Sequence, residues 1–169
     1  RDCRITQIYE GTNGIQAMDL LGRKLGMNKG KPVMDLLGEM NGTIKQAREA
    51  DLSELAERFQ KAVNKLGEVG MHMGASAMSP QVLTAFSFAQ PFLEVTGDVV
   101  MAWMLLWRAA IAKSRLGKKK KDDVFHEGQI KSAEYFIHNV IPVTTGKMIA
   151  ILGGNGAAVT IAEDGFGAK

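Results

Sequence analysis

Apolar residues recur every three or four positions through nearly the whole chain, and no long segment alternates apolar and polar residues with β-branched enrichment. A 3.6-residue period buries one stripe of a helix, whereas a period of two buries one face of a strand. The pattern therefore confines the chain to helices. Ile15, Met18, Leu21 and Leu25 mark a first helix, with Gly26 as its stop. Pro32 suits the opening turn of a second, carried by Val33, Leu36, Leu37, Met40 and Ile44. Gly38 and Gly42 in that helix each cost about 1 kcal/mol relative to Ala, so they are expected where a neighbouring helix approaches closely.

Asp51-Leu52-Ser53-Glu54 has the form of a capping box with Asp51 as the cap. A third helix follows on Leu55, Phe59, Ala62, Val63, Leu66 and Met73. Ser79 and Pro80 are suited to cap and open a fourth, expected to run to about Leu116 with a kink at Pro91. Residues 117–123 read as a loop. A fifth helix carries Ile130, Ala133, Ile137, Val140, Ile141 and Thr144, bends near Pro142 and stops at Gly153-Gly154-Asn155-Gly156. The expected fold class is all-α, an antiparallel helical bundle of about five helices with short connections.

At 169 residues the chain is one ordinary domain in size. Its single cysteine, Cys3, excludes an internal disulfide and favours an intracellular, cytoplasmic location. The net charge of +3 is too small to indicate nucleic acid. No secretory signal is visible, because Asp2 and Arg4 interrupt any apolar start. The most apolar window, residues 99–112, falls short of the ~20 residues of a membrane span and reads as a buried helix.

The densest chemistry lies in residues 1–16, RDCRITQIYEGTNGIQ. Ile8 and Tyr9 would dehydrate the Glu10 carboxylate and raise its basicity. Gly11 permits close approach to the backbone. Thr12-Asn13 precedes a helix start, where unpaired amides favour an anionic group.

This segment strongly resembles the active-site segment of flavin-dependent acyl-CoA dehydrogenases, in which an Arg-Asp pair precedes I-Y-E-G-T and then Ile-Gln opens the last catalytic helix. Arg1, Asp2, Ile8, Tyr9, Glu10, Gly11, Thr12, Ile15 and Gln16 match that pattern. The later stretches PQVLTAFSFAQPFLEVTGDVVMAWMLLWRAA and VFHEGQIKSAEYFIHNVIPVT resemble the extra helical domain of one branch, which includes the 3-methylmercaptopropionyl-CoA dehydrogenases. The resemblance implies that residues 1–26 end the catalytic helical domain and that residues 27–169 form a C-terminal extension.

It also implies roles. Glu10 would be the base that removes the α-proton of an acyl-CoA thioester while a hydride passes from the β-carbon to flavin N5. The Gly11 amide would face the thioester carbonyl. Thr12, Asn13 and Gly14 would line the nucleotide of FAD. Position 14 departs from a common pattern with Gln, so any flavin contact there comes from backbone. Some relatives carry the base on another helix, and a Glu at position 10 argues against that variant. Implied partners are the acyl-CoA substrate, the remainder of the parent chain, an electron acceptor such as an electron-transfer flavoprotein, and further copies in a homo-oligomer. The apolar run 101–106 adds to the last expectation. Most of the family's flavin site belongs to an N-terminal helical domain and a β-domain not contained in these residues. The chain alone is therefore expected to be inactive. The alternative is a non-catalytic helical module for assembly or partner binding.

Other constellations carry less. Glu68 and His72, like Glu134 and His138, are four apart and read as helix-face pairs. No Glu and His pairs three apart suit a di-iron bundle, and no H-E-x-x-H is present for zinc. The run Lys118–Lys121 has no interleaved aromatics to stack bases and reads as a solvated loop. Met71, Met73, Met78, Met101 and Met104 are expected to fill gaps in the core.

Overall fold

The computed structural model describes residues 12–167. All regular structure among them is helical. Helix α1, Asn13–Asp19, runs directly into a π-turn, Leu20–Lys24. Helices α2, Lys31–Glu49, and α3, Ser53–Ala77, form an antiparallel pair. A short α4, Val82–Ser87, leads into α5, Ala89–Lys113. Then α6, Lys120–Tyr135, a π-turn, Phe136–Val140, and α7, Ile141–Gly153, follow one another without a loop. A single turn, α8, Ala157–Thr160, lies near the end. The five long helical stretches expected from periodicity are thus present.

Helix α5 is the axis of the bundle, with α1, α2, α3, α6 and α7 packed around it. Phe92, Val95, Val99, Ala102, Leu106 and Ala109 are buried along it. They meet Met40 and Ile44 of α2, Phe59, Val63 and Val69 of α3, and Met148 and Ile151 of α7 in one apolar core. Helices α5 (Ala89–Lys113) and 120–153 have the length and composition of a membrane span; α5 buries one stripe against its neighbours, while its Met101, Trp107 and Ile111 stay exposed. Within the apolar run 101–106, Ala102 and Leu106 face inward, Trp103, Met104 and Leu105 are half-buried and Met101 is exposed.

Two polar contacts fix the register around α5. The Trp103 indole N–H donates to Thr43 Oγ1 at 2.7 Å. The Thr144 hydroxyl, itself buried, donates to Asp98 Oδ2 at 2.8 Å. No buried side-chain polar atom lacks a partner among the described residues, as packing in a low-dielectric interior requires.

Several local expectations are corrected. Asp51 does not cap α3. It takes a left-handed conformation, φ 60°, just past the end of α2. Leu52 N–H then reaches the Ala47 carbonyl at 2.9 Å, and Asp51 N–H the Arg48 carbonyl at 3.2 Å. These are the two bonds of a Schellman stop, in which Asp tolerates φ > 0 better than most residues. Gly38 and Gly42 are exposed, and a Cβ at either would meet nothing within 4 Å. They mark no close approach.

Ser79 and Pro80 do not open α4, which begins at Val82. The Ser79 hydroxyl instead accepts from Gln81 N–H at 3.1 Å in a tight turn. The expected kink at Pro91 falls earlier, at Phe88 (φ −98°, ψ 6°), which separates α4 from α5. Pro91 lies in the first turn of α5, where its missing N–H would have had no intrahelical partner anyway. The basic loop is shorter than expected, because α6 begins at Lys120. Its Asp122 and Asp123 occupy the first turn, where carboxylates suit the helix dipole, and Asp123 also accepts from Gly117 N–H at 2.9 Å. Gly117 has φ 78° there.

Of the methionines expected in the core, Met73 is buried, whereas Met71, Met78 and Met101 are exposed. The bend near Pro142 is realised as the π-turn before it. Ile141 N–H skips to the Phe136 carbonyl, five residues back, which accommodates a ring that cannot donate.

Candidate functional site

Glu10 and Gly11 lie outside the described residues, as do the other motif positions from Arg1 to Tyr9. Thr12, Asn13 and Gly14 lie within them and open α1. Thr12 is left-handed, φ 50° and ψ 48°, and its carbonyl accepts from Gln16 N–H at 3.0 Å. All three side-chain positions are exposed. A Cβ at Gly14 would meet nothing within 4 Å among the described residues. The helix behind this turn is firmly seated, since Ala17 and Leu21 are buried in the common core. On its outer side Arg23 binds Asp19 through two bonds, of 2.6 and 3.0 Å, and Lys24 lies 3.3 Å from the same carboxylate. The Arg23 hydrogen bond holds the Asp19 carboxyl down at about 2.

The structure thus places Thr12, Asn13 and Gly14 at the exposed start of a seven-residue helix whose Ala17 is buried in the core.

A second concavity is made of residues far apart in sequence. It is a groove of about 670 Å³ between the α2–α3 connection, the end of α5 and the α6–α7 junction. No residue of α1 lines it. Lys113 reaches Asp51 at 3.5 Å, and His138 Nε2 lies 3.7 Å from Glu54 Oε1. His138 is carried by the π-turn. Carboxylates (Asp51, Glu54, Glu134) and ammonium groups (Lys113, Lys131) both line this groove, so neither sign of charge dominates it.

The expected Glu–His helix-face pairs do not form. Glu68 is taken by Lys65 at 2.7 Å and Glu134 by Lys131 at 2.5 Å. His72 faces the stop of α7, its Nε2 3.9 Å from where a Cβ of Gly154 would lie. No cluster of three potential metal ligands occurs among the described residues. The groove was invisible to motif reading, because Asp51, Lys113 and His138 converge only through the fold.

Comparison with known proteins decides the family. The family described as acetyl-CoA dehydrogenase C-terminal like matches residues 36–162. The chain belongs to this family.

Similar proteins include a butyryl-CoA dehydrogenase of Syntrophomonas wolfei subsp. wolfei, 26% identical over 170 residues, covering 98% of this chain and 28% of that protein. A broad-specificity linear acyl-CoA dehydrogenase of Mycobacterium tuberculosis is 30% identical over 156 residues, 86% of this chain and 25% of its own length. The 3-methylmercaptopropionyl-CoA dehydrogenase of Ruegeria pomeroyi is 32% identical over 145 residues, 83% of this chain and 24% of its own. The chain therefore spans about a quarter of the length of the curated relatives it matches. The acyl-CoA dehydrogenase resemblance and the all-α bundle expected from sequence are both borne out.

Proposed function

We propose that this chain acts as the C-terminal part of an FAD-dependent acyl-CoA dehydrogenase that oxidises an acyl-CoA thioester to the 2,3-enoyl-CoA. The observation that carries the reading is a family match across residues 36–162, joined to an acyl-CoA dehydrogenase alignment covering 98% of the chain. Coverage that broad reaches across Glu10.

In this reading Glu10 removes the α-proton, and the Gly11 amide donates to the thioester oxygen as enolate charge develops. FAD, when bound, supplies the hydride acceptor. Thr12, Asn13 and Gly14 line its nucleotide, and all three positions are exposed. Residues 1–26 complete the catalytic helical domain, and residues 27–169 form the extension. The enzyme works in the cytoplasm as a homo-oligomer and passes electrons to an acceptor such as an electron-transfer flavoprotein. The chain alone is inactive.

The test is Glu10→Gln in the full-length enzyme. The variant should bind FAD and acyl-CoA normally and lose at least about 10²-fold in the rate of flavin reduction under single turnover. Reduction within a few-fold of the unaltered enzyme would place the base elsewhere.

A further inference from the structure

The connection from α5 to α6 has no part in the reading above, yet it carries an unbroken run of four lysines. Arg115, Lys118, Lys119, Lys120 and Lys121 are all exposed, and none forms an ion pair among the described residues. The acidic groups facing them are Asp122 and Asp123, tucked into the first turn of α6 and partly buried, and Glu127 one turn further. Directly behind the lysines stand two uncovered apolar side chains, Val124 at 79% and Phe125 at 65% exposure. Both belong to α6, so Lys121 is three and four residues from them and Lys120 four residues from Val124. Residues at this spacing share a helix face.

A rim of ammonium groups around a small apolar knob is the arrangement that lets Lys stems lie along acyl chains while their heads stay at phosphate level. We propose that this corner docks peripherally on an anionic membrane surface. Lys118–Lys121 and Arg115 would meet lipid phosphates, with Val124 and Phe125 entering the headgroup boundary. Two features favour lipid over nucleic acid. One is that the Phe125 and His126 rings meet edge to face at 5.7 Å, which offers no series of parallel faces for stacked bases. The other is the aliphatic Val124, which has no role against a base.

The probe is co-sedimentation of the purified chain with phosphatidylserine–phosphatidylcholine vesicles, compared with phosphatidylcholine vesicles alone. We expect binding to the first only, weakening with salt. Each basic residue near such a surface is worth roughly five-fold. The quadruple variant Lys118→Gln, Lys119→Gln, Lys120→Gln, Lys121→Gln should therefore lose at least about 100-fold in partitioning. Val124→Ser with Phe125→Ser should lose on the order of ten-fold while keeping the salt dependence. All six positions are exposed, and helical circular dichroism verifies that the variants fold. No binding to anionic vesicles, equal binding to neutral ones, or an unaffected lysine variant would each overturn the proposal. So would displacement by inorganic phosphate at constant ionic strength, or tighter binding to a single-stranded oligonucleotide than to vesicles.

Discussion

Replacing Thr144 by Val should destabilise the bundle more than changing the residue it serves. Thr144 is 1% exposed, and its hydroxyl donates to Asp98 Oδ2 at 2.8 Å across the α5–α7 seam. Val keeps the volume and removes the donor, leaving a half-buried carboxylate without its partner. A hydrogen bond to a charged acceptor contributes about 1.5–3 kcal/mol. Asp98 retains some access to water and lies near Lys147, so the lower part of that range applies and we expect a loss of about 1.5 kcal/mol. Asp98→Asn is milder. Its amide oxygen still accepts from Thr144, and the hydroxyl also has the Val140 carbonyl at 3.2 Å. That change should cost under about 1 kcal/mol. Urea titration followed by circular dichroism reads both. With a slope of about 2 kcal/mol per molar, Thr144→Val lowers the midpoint by roughly 0.7 M. A Thr144→Val midpoint matching that of the unaltered protein, or an Asp98→Asn loss larger than it, would refute the reasoning.

Gly38→Ala and Gly42→Ala should each stabilise by up to about 1 kcal/mol, because a Cβ meets nothing at either site and the helix gains propensity; a lowered thermal midpoint would show that these glycines are packed after all. Phe59→Ala, at a fully buried site, should cost about 3–5 kcal/mol in the same urea titration. The Lys147 hydrogen bond at 2.9 Å lowers the Glu94 pKa below 4.5, and Arg23 lowers that of Asp19 from 3.8 to about 2. Depressed carboxyl pKa values give stability that is present above the unfolded values and lost as pH falls through the folded ones. The thermal midpoint should therefore decline from pH 4.5 towards about pH 2, and Glu94→Gln should shallow that decline.

Periodicity made the five helical stretches legible because burial in this bundle is one-sided for most helices. Leu55, Phe59, Ala62, Val63, Leu66 and Met73 were all identified, and all are buried. The boundaries were harder, because a residue type serves more than one role. Asp51 suits a helix start by its carboxylate and a helix stop by its tolerance of positive φ, and only the chain geometry selects the second. Glycine and methionine misled for a related reason: Gly38 and Met71 follow helical spacing, but spacing alone does not say whether a neighbour exists to fill the space. The motif around Glu10 was legible as chemistry, since its residues are consecutive. The groove between Asp51, Lys113 and His138 was not, since its residues meet only across three helices.

The π-turn at Phe136–Val140 divides what would otherwise be one rod of 34 residues into two parts with unequal footing. Helix α7 is held by Ile141, Thr144, Met148 and Ile151, whereas α6 buries only Ile130 and Ala133. Ile130 and Ala133 hold the last turns of α6 in the core, so opening of α6 would begin at its Lys120 end, where no residue before Ile130 is buried. Amide exchange should accordingly be graded along α6, with residues 120–129 exchanging through a local opening and residues 141–151 only when the whole bundle unfolds.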